Sequence, residues 1–242
     1  MHKNNLYISN RKETPDDLKI LHIELFNNKA NPGKIKAFEE VCRIAYDFIP
    51  SERCKGKKCV IGTACGNLDA KIMFIAEAPG RNGAERTGIP IYGDPSGDNF
   101  EIILHNATSG HLNRKDVYIT NTFLWNPTNE QGNNDRPTDA EIIKGLPFLK
   151  AQIEIVKPEL VVAMGNTAYK TLEYIYPLPF QGSLREMAGK VFRWTDQLLL
   201  GIMYHPSPRV IGTHRTLEEM ISDMQSMLKQ HILMRKGLFI DR

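Results

Sequence analysis

Apolar and polar positions follow two different periods along this chain, and the switches between them outline its elements. Residues 15–28 and 32–48 carry apolar side chains at helical spacing, each run behind a start signal: Thr14 with Asp16 and Asp17, then Asn31 with Pro32. Residues 50–70 are rich in turn formers. From there short β-type runs alternate with helical patterns. Lys71–Ala76, Val117–Thr122 and Glu159–Met164 predict strands, and Asp98–Asn106, Thr138–Val156 and residues 165–175 predict helices. Thr138 to Glu141 spells a capping-box start for the longest of these. Val191–Trp194 and Leu198–Met203 predict either a hairpin or a fourth strand with its lead-in, and Thr216 to about Arg235 predicts a closing helix.

This alternation predicts a three-layer α/β/α fold around a central, mainly parallel sheet of four strands, with N-terminal helices and a Cys-rich metal-binding segment attached. The chain divides into residues 1–69, helical and Cys-rich, packed on an α/β unit at 70–242. In parallel sheets, functional groups collect beyond the carboxyl ends of the strands. Glu77, Asn121, Gly165 with Asn166, and His205 each stand at such an end, so all four positions are expected along one edge.

Composition narrows the class further. The 242 residues are 41% hydrophobic, which suits one sizeable α/β domain, and the formal charge of +3 permits nucleic-acid binding without arguing for it. No run of apolar residues is long enough to cross a membrane, and the first residues lack the apolar stretch of a secretion signal, so a cytoplasmic monomer with no obligate protein partner is expected. All four cysteines fall between Cys42 and Cys65, as Cys42-(x)11-Cys54-(x)4-Cys59-(x)5-Cys65. In a reducing compartment such clustering points to a metal or to free thiols rather than to disulfides.

Four motifs carry the chemistry. Ala76 to Gly80 (AEAPG) follows the first strand, and Arg86 to Asp98 (RTGIPIYGDPSGD) forms a long polar loop behind it. Thr120-Asn121 closes the second strand, Ala163 to Ala168 (AMGNTA) follows the third, and His205 to Pro208 (HPSP) leaves the last. Singly, each has an ordinary structural explanation, because histidine before proline is commonly a rigid turn and a strand-end asparagine is commonly a cap. Together, in this order and at these places on the strands, they resemble the uracil-DNA glycosylase superfamily, most closely its iron–sulfur families four and five, over roughly Ala70 to Leu228.

The resemblance implies a monofunctional DNA glycosylase that extrudes a deaminated or modified base, uracil or a 5-modified pyrimidine, and hydrolyses its N-glycosidic bond in base-excision repair. It implies Glu77 and Asp94 as candidates for the water-activating carboxylate and His205 as the donor to the departing base. Asn121 is the implied base reader, in a pocket with Ala78, Pro79, Gly80, Ile91 and Tyr92. DNA contacts are expected from Arg81, Ser207, Arg209 (as the wedge) and Arg215. Where the family places a stacking phenylalanine stands Ile91, so Tyr92 would have to turn in to replace it. Where the best-known members carry a tyrosine against a 5-methyl group stands Gly80, which leaves room there. The two later cluster cysteines of the family correspond to Trp125 and Gly145, so Cys42, Cys54, Cys59 and Cys65 are the expected ligands of a [4Fe–4S] cluster, with zinc as the alternative. Removal of modified phage bases in antiphage defence and a non-catalytic DNA-binding member of the fold are the competing readings. An unrelated small-molecule hydrolase ranks last, because the chain has neither a nucleophile elbow nor a phosphate-binding glycine loop.

Overall fold

The structure is a computed structural model, and it describes residues 31–237; the helix expected over 15–28 lies outside the described residues. Five strands form one sheet: β1 (Ile72–Ala76), β2 (Tyr118–Asn121), β3 (Leu160–Met164), β4 (Val191–Arg193) and β5 (Leu199–Met203). Their spatial order is β2-β1-β3-β5-β4, with β1, β2, β3 and β5 parallel and β4 antiparallel to β5. The sheet therefore has five strands where four were expected. The hairpin option is the one realised, because Trp194 and Leu198 close a tight turn through Trp194 N–H and the Leu198 carbonyl at 2.9 Å.

The helices are α1 (Pro32–Asp47), α2 (Pro95–Ala107), α3 (Asp139–Val156), α4 (Asn166–Leu172), α5 (Leu184–Met187), α6 (Pro208–Ile211) and α7 (Leu217–Arg235). They cover both faces of the sheet. Side chains alternate across a strand, so Met73 and Ile75 of β1 enter one core with Phe38, Phe148, Leu149 and Ile153, beneath α1 and α3. Ile72, Phe74 and Ala76 enter the other with Phe100, Ile103, Met220, Met224 and Met227, beneath α2 and α7. All five residues of β1 are buried, as a parallel strand covered on both faces requires. None of the described helices is long and apolar enough to cross a membrane.

Helix starts are set by side chains. Asp94 accepts from Gly97 N–H at 3.0 Å and Pro95 occupies the first turn, so α2 begins earlier than its apolar pattern suggested. Thr138 and Glu141 form the anticipated capping box of α3. Glu141 also accepts from Arg53 Nη2 at 2.6 Å and Ser51 Oγ at 2.5 Å, which ties the turn-rich segment to the domain. Burial alone would raise the Glu141 pKa, but the Arg53, Ser51 and Thr138 hydrogen bonds hold it at about 2.

Trp125 is the largest fully buried side chain, with ring centroids of Phe123, Phe48 and Phe148 at 5.3, 5.8 and 5.7 Å. Gly145 belongs to the same knot, since a Cβ there would lie 3.0 Å from the Phe123 ring. The two positions that the resemblance pairs with cluster cysteines are thus occupied by tight aromatic packing. Trp125→Ala is expected to destabilise the fold by about 3–5 kcal/mol in urea titrations, the range for removing a large aromatic from a packed core.

Candidate active site at the carboxyl edge of the sheet

The first two strands after the Cys-rich segment place β2 on one side of β1, and the chain then crosses to put β3 on the other. That reversal opens a crevice beyond the strand ends, the usual ligand position in open parallel sheets. A cavity of about 1020 Å³ occupies it. Glu77, Ala78, Pro79, Gly80, Ile91, Asp94, Asn121, His205, Ser207 and Arg209 all line this cavity, so ten of the expected site residues share one wall system. The strand ends that carry them are in register, with Ala76 beside Asn121 and Met164 beside Met203.

Backbone hydrogen bonds hold the acid in place. Thr122 N–H donates to the Ala76 carbonyl at 2.7 Å, and Phe123 N–H and the Thr122 hydroxyl donate to the Glu77 carbonyl at 3.1 and 2.7 Å. The Glu77 carboxylate has Arg136 Nε at 3.9 Å, yet its Oε1 is buried with no hydrogen-bond partner. Burial raises the Glu77 pKa, opposed by the Arg136 charge and a Thr167 hydrogen bond. Asp94 uses Oδ1 to cap α2 and directs Oδ2 toward Gly80 and Gly83. A Cβ at Gly83 would run into that carboxylate, which explains the glycine. His205 is held neutral at ordinary pH, because burial lowers its pKa and the Asp94 charge only partly offsets this.

Asn121 is 1% exposed, and its Nδ2 is a buried donor with no partner. Ile91 adopts φ 46°, a left-handed conformation unusual for a β-branched residue. It is held there by Arg114, which donates to the Pro90 carbonyl at 2.8 Å, to the Ile91 carbonyl, and to Glu101 at 2.7 Å. Ser207 caps α6 through Val210 N–H, and Arg209 stands exposed at the cavity rim.

Three of the expected site residues lie outside the cavity walls. Tyr92 does not turn in to replace an aromatic at position 91; its ring packs beneath the Arg114 guanidinium at 5.4 Å. Arg81 donates through Nη1 to the Gly132 carbonyl, and Arg215 forms a two-point ion pair with Asp223 in which Nε lies 3.0 Å from Oδ2. Conversely, sequence reasoning missed Asn126, Asn134, Asp135 and Arg136, which supply a second polar wall, and Tyr204 and His214, whose rings stack 6.4 Å apart at the rim. The polar run after β2 leaves the same sheet edge, and that was the available signal for the first four.

The cysteines do not assemble the expected metal site. Among the described residues no group of three or more His, Cys, Asp and Glu side chains is arranged to hold a metal. Cys65 lies near enough to raise the pKa of Cys42 and Cys59, but Cys54 stands apart against the Ser51 hydroxyl at 3.4 Å. Burial first, and then the Cys65 thiol and the Glu39 charge, push the Cys42 thiol up to about 12. A four-thiolate site needs four convergent sulfurs, and this donor set is not convergent. Elemental analysis of the purified protein is expected to find no stoichiometric iron or zinc.

The Glu77 shift has a consequence for stability. A carboxyl whose folded pKa is raised contributes stability at low pH, and that contribution is lost as pH rises through the folded pKa. Glu77→Gln removes the loss, so the variant is expected to melt higher than the parent at pH 7. The difference should shrink as pH falls below the ordinary glutamate range, as thermal melts across pH will read.

A family model described as the uracil DNA glycosylase superfamily matches residues 64–229. A type-4 uracil-DNA glycosylase of Thermotoga maritima is 37% identical over 172 residues, covering 66% of this chain and 80% of the relative. That of Saccharolobus solfataricus is 32% identical over 187 residues, covering 73% and 81%. A type-5 uracil-DNA glycosylase of Pyrobaculum aerophilum is 28% identical over 174 residues, covering 66% and 71%.

Proposed function

Because this chain belongs to the uracil-DNA glycosylase superfamily and is a DNA glycosylase, we propose that it releases uracil or a 5-modified pyrimidine from DNA by hydrolysis in the cavity between β1 and β3. One observation carries the reading. The cavity holds a buried carboxylate oxygen of Glu77 and a buried amide donor of Asn121, neither satisfied within the fold. Buried polar atoms are nearly always paired, so an acceptor and a donor left open in one hollow mark where a ligand and a water complete the set.

Hydrolysis adds water across the C1′–N bond. The bond breaks with its electron pair leaving on the base, the sugar carbon becomes electron-poor, and water adds there, giving up a proton that ends on the released base. Glu77 suits the sugar side: its open Oε1 orients the water and its charge stabilises the cationic sugar. Asp94 spends one oxygen on the α2 cap, which favours a supporting role beside His205. Neutral His205 and the Asn121 amide donate to oxygens of the departing base, where negative charge grows. Arg209 at the rim and the Ser207 turn face the DNA strand that delivers the extruded nucleotide. The pocket carries Ile91 in place of an aromatic and glycine at position 80, so it accepts a base wider than uracil.

Oligonucleotides carrying uracil, hypoxanthine, xanthine or 5-substituted pyrimidines, scored for abasic sites, test the reading. Uracil release is expected, with Glu77→Gln and His205→Ala each slowing it about 10²–10⁴-fold, the usual contribution of a positioned proton-transfer or charge-stabilising group. Absence of release from every substrate, with DNA binding intact, would refute it.

A further inference from the structure

We propose that Asn126 reads a hydrogen-bond donor outside the ring of the extruded base, a hydroxyl or amino group, and so sets which modified base is preferred. The inference rests on the base-release reading above and deepens it. Asn126 is fully buried and lines the cavity, and among the described residues its Oδ1 is a third buried atom without a hydrogen bond, beside those of Glu77 and Asn121.

The identity of that open atom follows from its neighbours. Arg81 N–H donates to Asn134 Oδ1 at 3.0 Å, and a backbone N–H can only donate, so the Asn134 atom there is oxygen. The Asn126 side chain meets this oxygen at 3.1 Å and Glu85 Oε2 at 2.6 Å, two acceptors, so the atom it presents to them is nitrogen. Lys57 Nζ lies 3.7 Å from the other Glu85 oxygen and holds the chain of contacts at its far end. Both amide hydrogens are committed, rotation of the amide is blocked, and the carbonyl oxygen is left facing a need for a donor. An unpaired buried acceptor is costly, and a ligand donor would recover that cost.

DNA narrows what that donor can be. Phosphodiesters and internal deoxyriboses carry acceptors and no N–H or O–H, so only the base can supply the contact; the ring N3–H is common to uracil and all its 5-substituted forms, so only a donor outside the ring can discriminate among them. Gly80 lines the same cavity as Asn126. A Cβ there would lie 3.4 Å from Asp94 Oδ2 and 3.6 Å from Asn134 Nδ2, so the space that glycine leaves is bounded by polar atoms rather than by hydrocarbon. A bare methyl group at this wall leaves Asn126 Oδ1 unpaired. A hydroxymethyl or amino substituent pairs with it, while Asn121 Nδ2 takes an oxygen of the same base.

The test uses duplexes in which a 2′-fluorinated, release-resistant nucleotide carries uracil, thymine, 5-hydroxymethyluracil or 5-formyluracil, with Kd read by fluorescence anisotropy. The hydroxymethyl base is expected to bind about tenfold tighter than thymine or the formyl base, whose substituent can only accept, the worth of one good hydrogen bond in a buried site. Asn126→Leu is expected to bring that ratio close to one. Equal affinities in the parent protein overturn the inference, as does a ratio that Asn126→Leu leaves unaltered, the result a trapped water on Oδ1 would give. If the variant fails to fold, the ratio among the four bases in the parent still decides. Cleavable duplexes run in parallel separate the two readings. Uracil release without a hydroxymethyl preference sinks this inference alone, and a binding preference without release of any base sinks the glycosylase assignment of the cavity alone.

Discussion

Where β2 ends, its outgoing backbone reaches across to β1: Thr122 N–H bonds the Ala76 carbonyl, and Phe123 N–H and the Thr122 hydroxyl bond that of Glu77. These contacts continue the parallel ladder past the last regular residue of β1 and fix where its acid projects. Everything in the cavity refers to that point. Asn121 lies one residue before the clasp, Asn126 four residues after it, and the β1–β3 pairing brings Gly165 and Thr167 to the opposite side. The cost of holding a carboxylate there is visible in its raised pKa, since burial disfavours the charged form.

Around this anchor the site is built from two kinds of loop. The one after β1 is held rigid from behind by Arg114, which grips the Pro90 and Ile91 carbonyls and keeps Ile91 left-handed. The one after β2 is held by side-chain amides, Asn134 and Asn126, anchored on Glu85. The first shapes the cavity with Ala78, Pro79, Gly80 and Ile91 beside its two acids. The second leaves a polar atom open. Catalysis by such a site needs little motion, since electrostatic stabilisation works best from groups already oriented before the reaction.

The Cys-rich segment packs on the domain through aromatic and polar contacts. Trp125 fills the core with Phe48, Phe123 and Phe148, and Gly145 allows Phe123 to approach closely. The segment is joined to α3 by the Arg53 and Ser51 contacts to Glu141, so hydrocarbon burial and a buried ion pair do the work of attachment.

The strand and helix pattern was legible in the sequence because period two and period 3.6 report directly which face is buried. The convergence of Glu77, Asn121 and His205 was legible for a related reason: parallel strands bring their carboxyl ends to one edge whatever the details of packing. Four strands became five because a three-residue antiparallel edge strand leaves almost no periodic signal. What lay beyond the sequence were choices made between residues far apart along it. Arg215 is drawn to Asp223 rather than outward, Tyr92 to Arg114 rather than into the cavity, and Cys54 to Ser51 rather than to the other thiols. The orientation of Asn126 depends on Arg81, Glu85 and Asn134 together. Side-chain type and spacing determine which residues can reach an edge; only tertiary contacts decide which hydrogen-bonding atoms are used up there and which remain open.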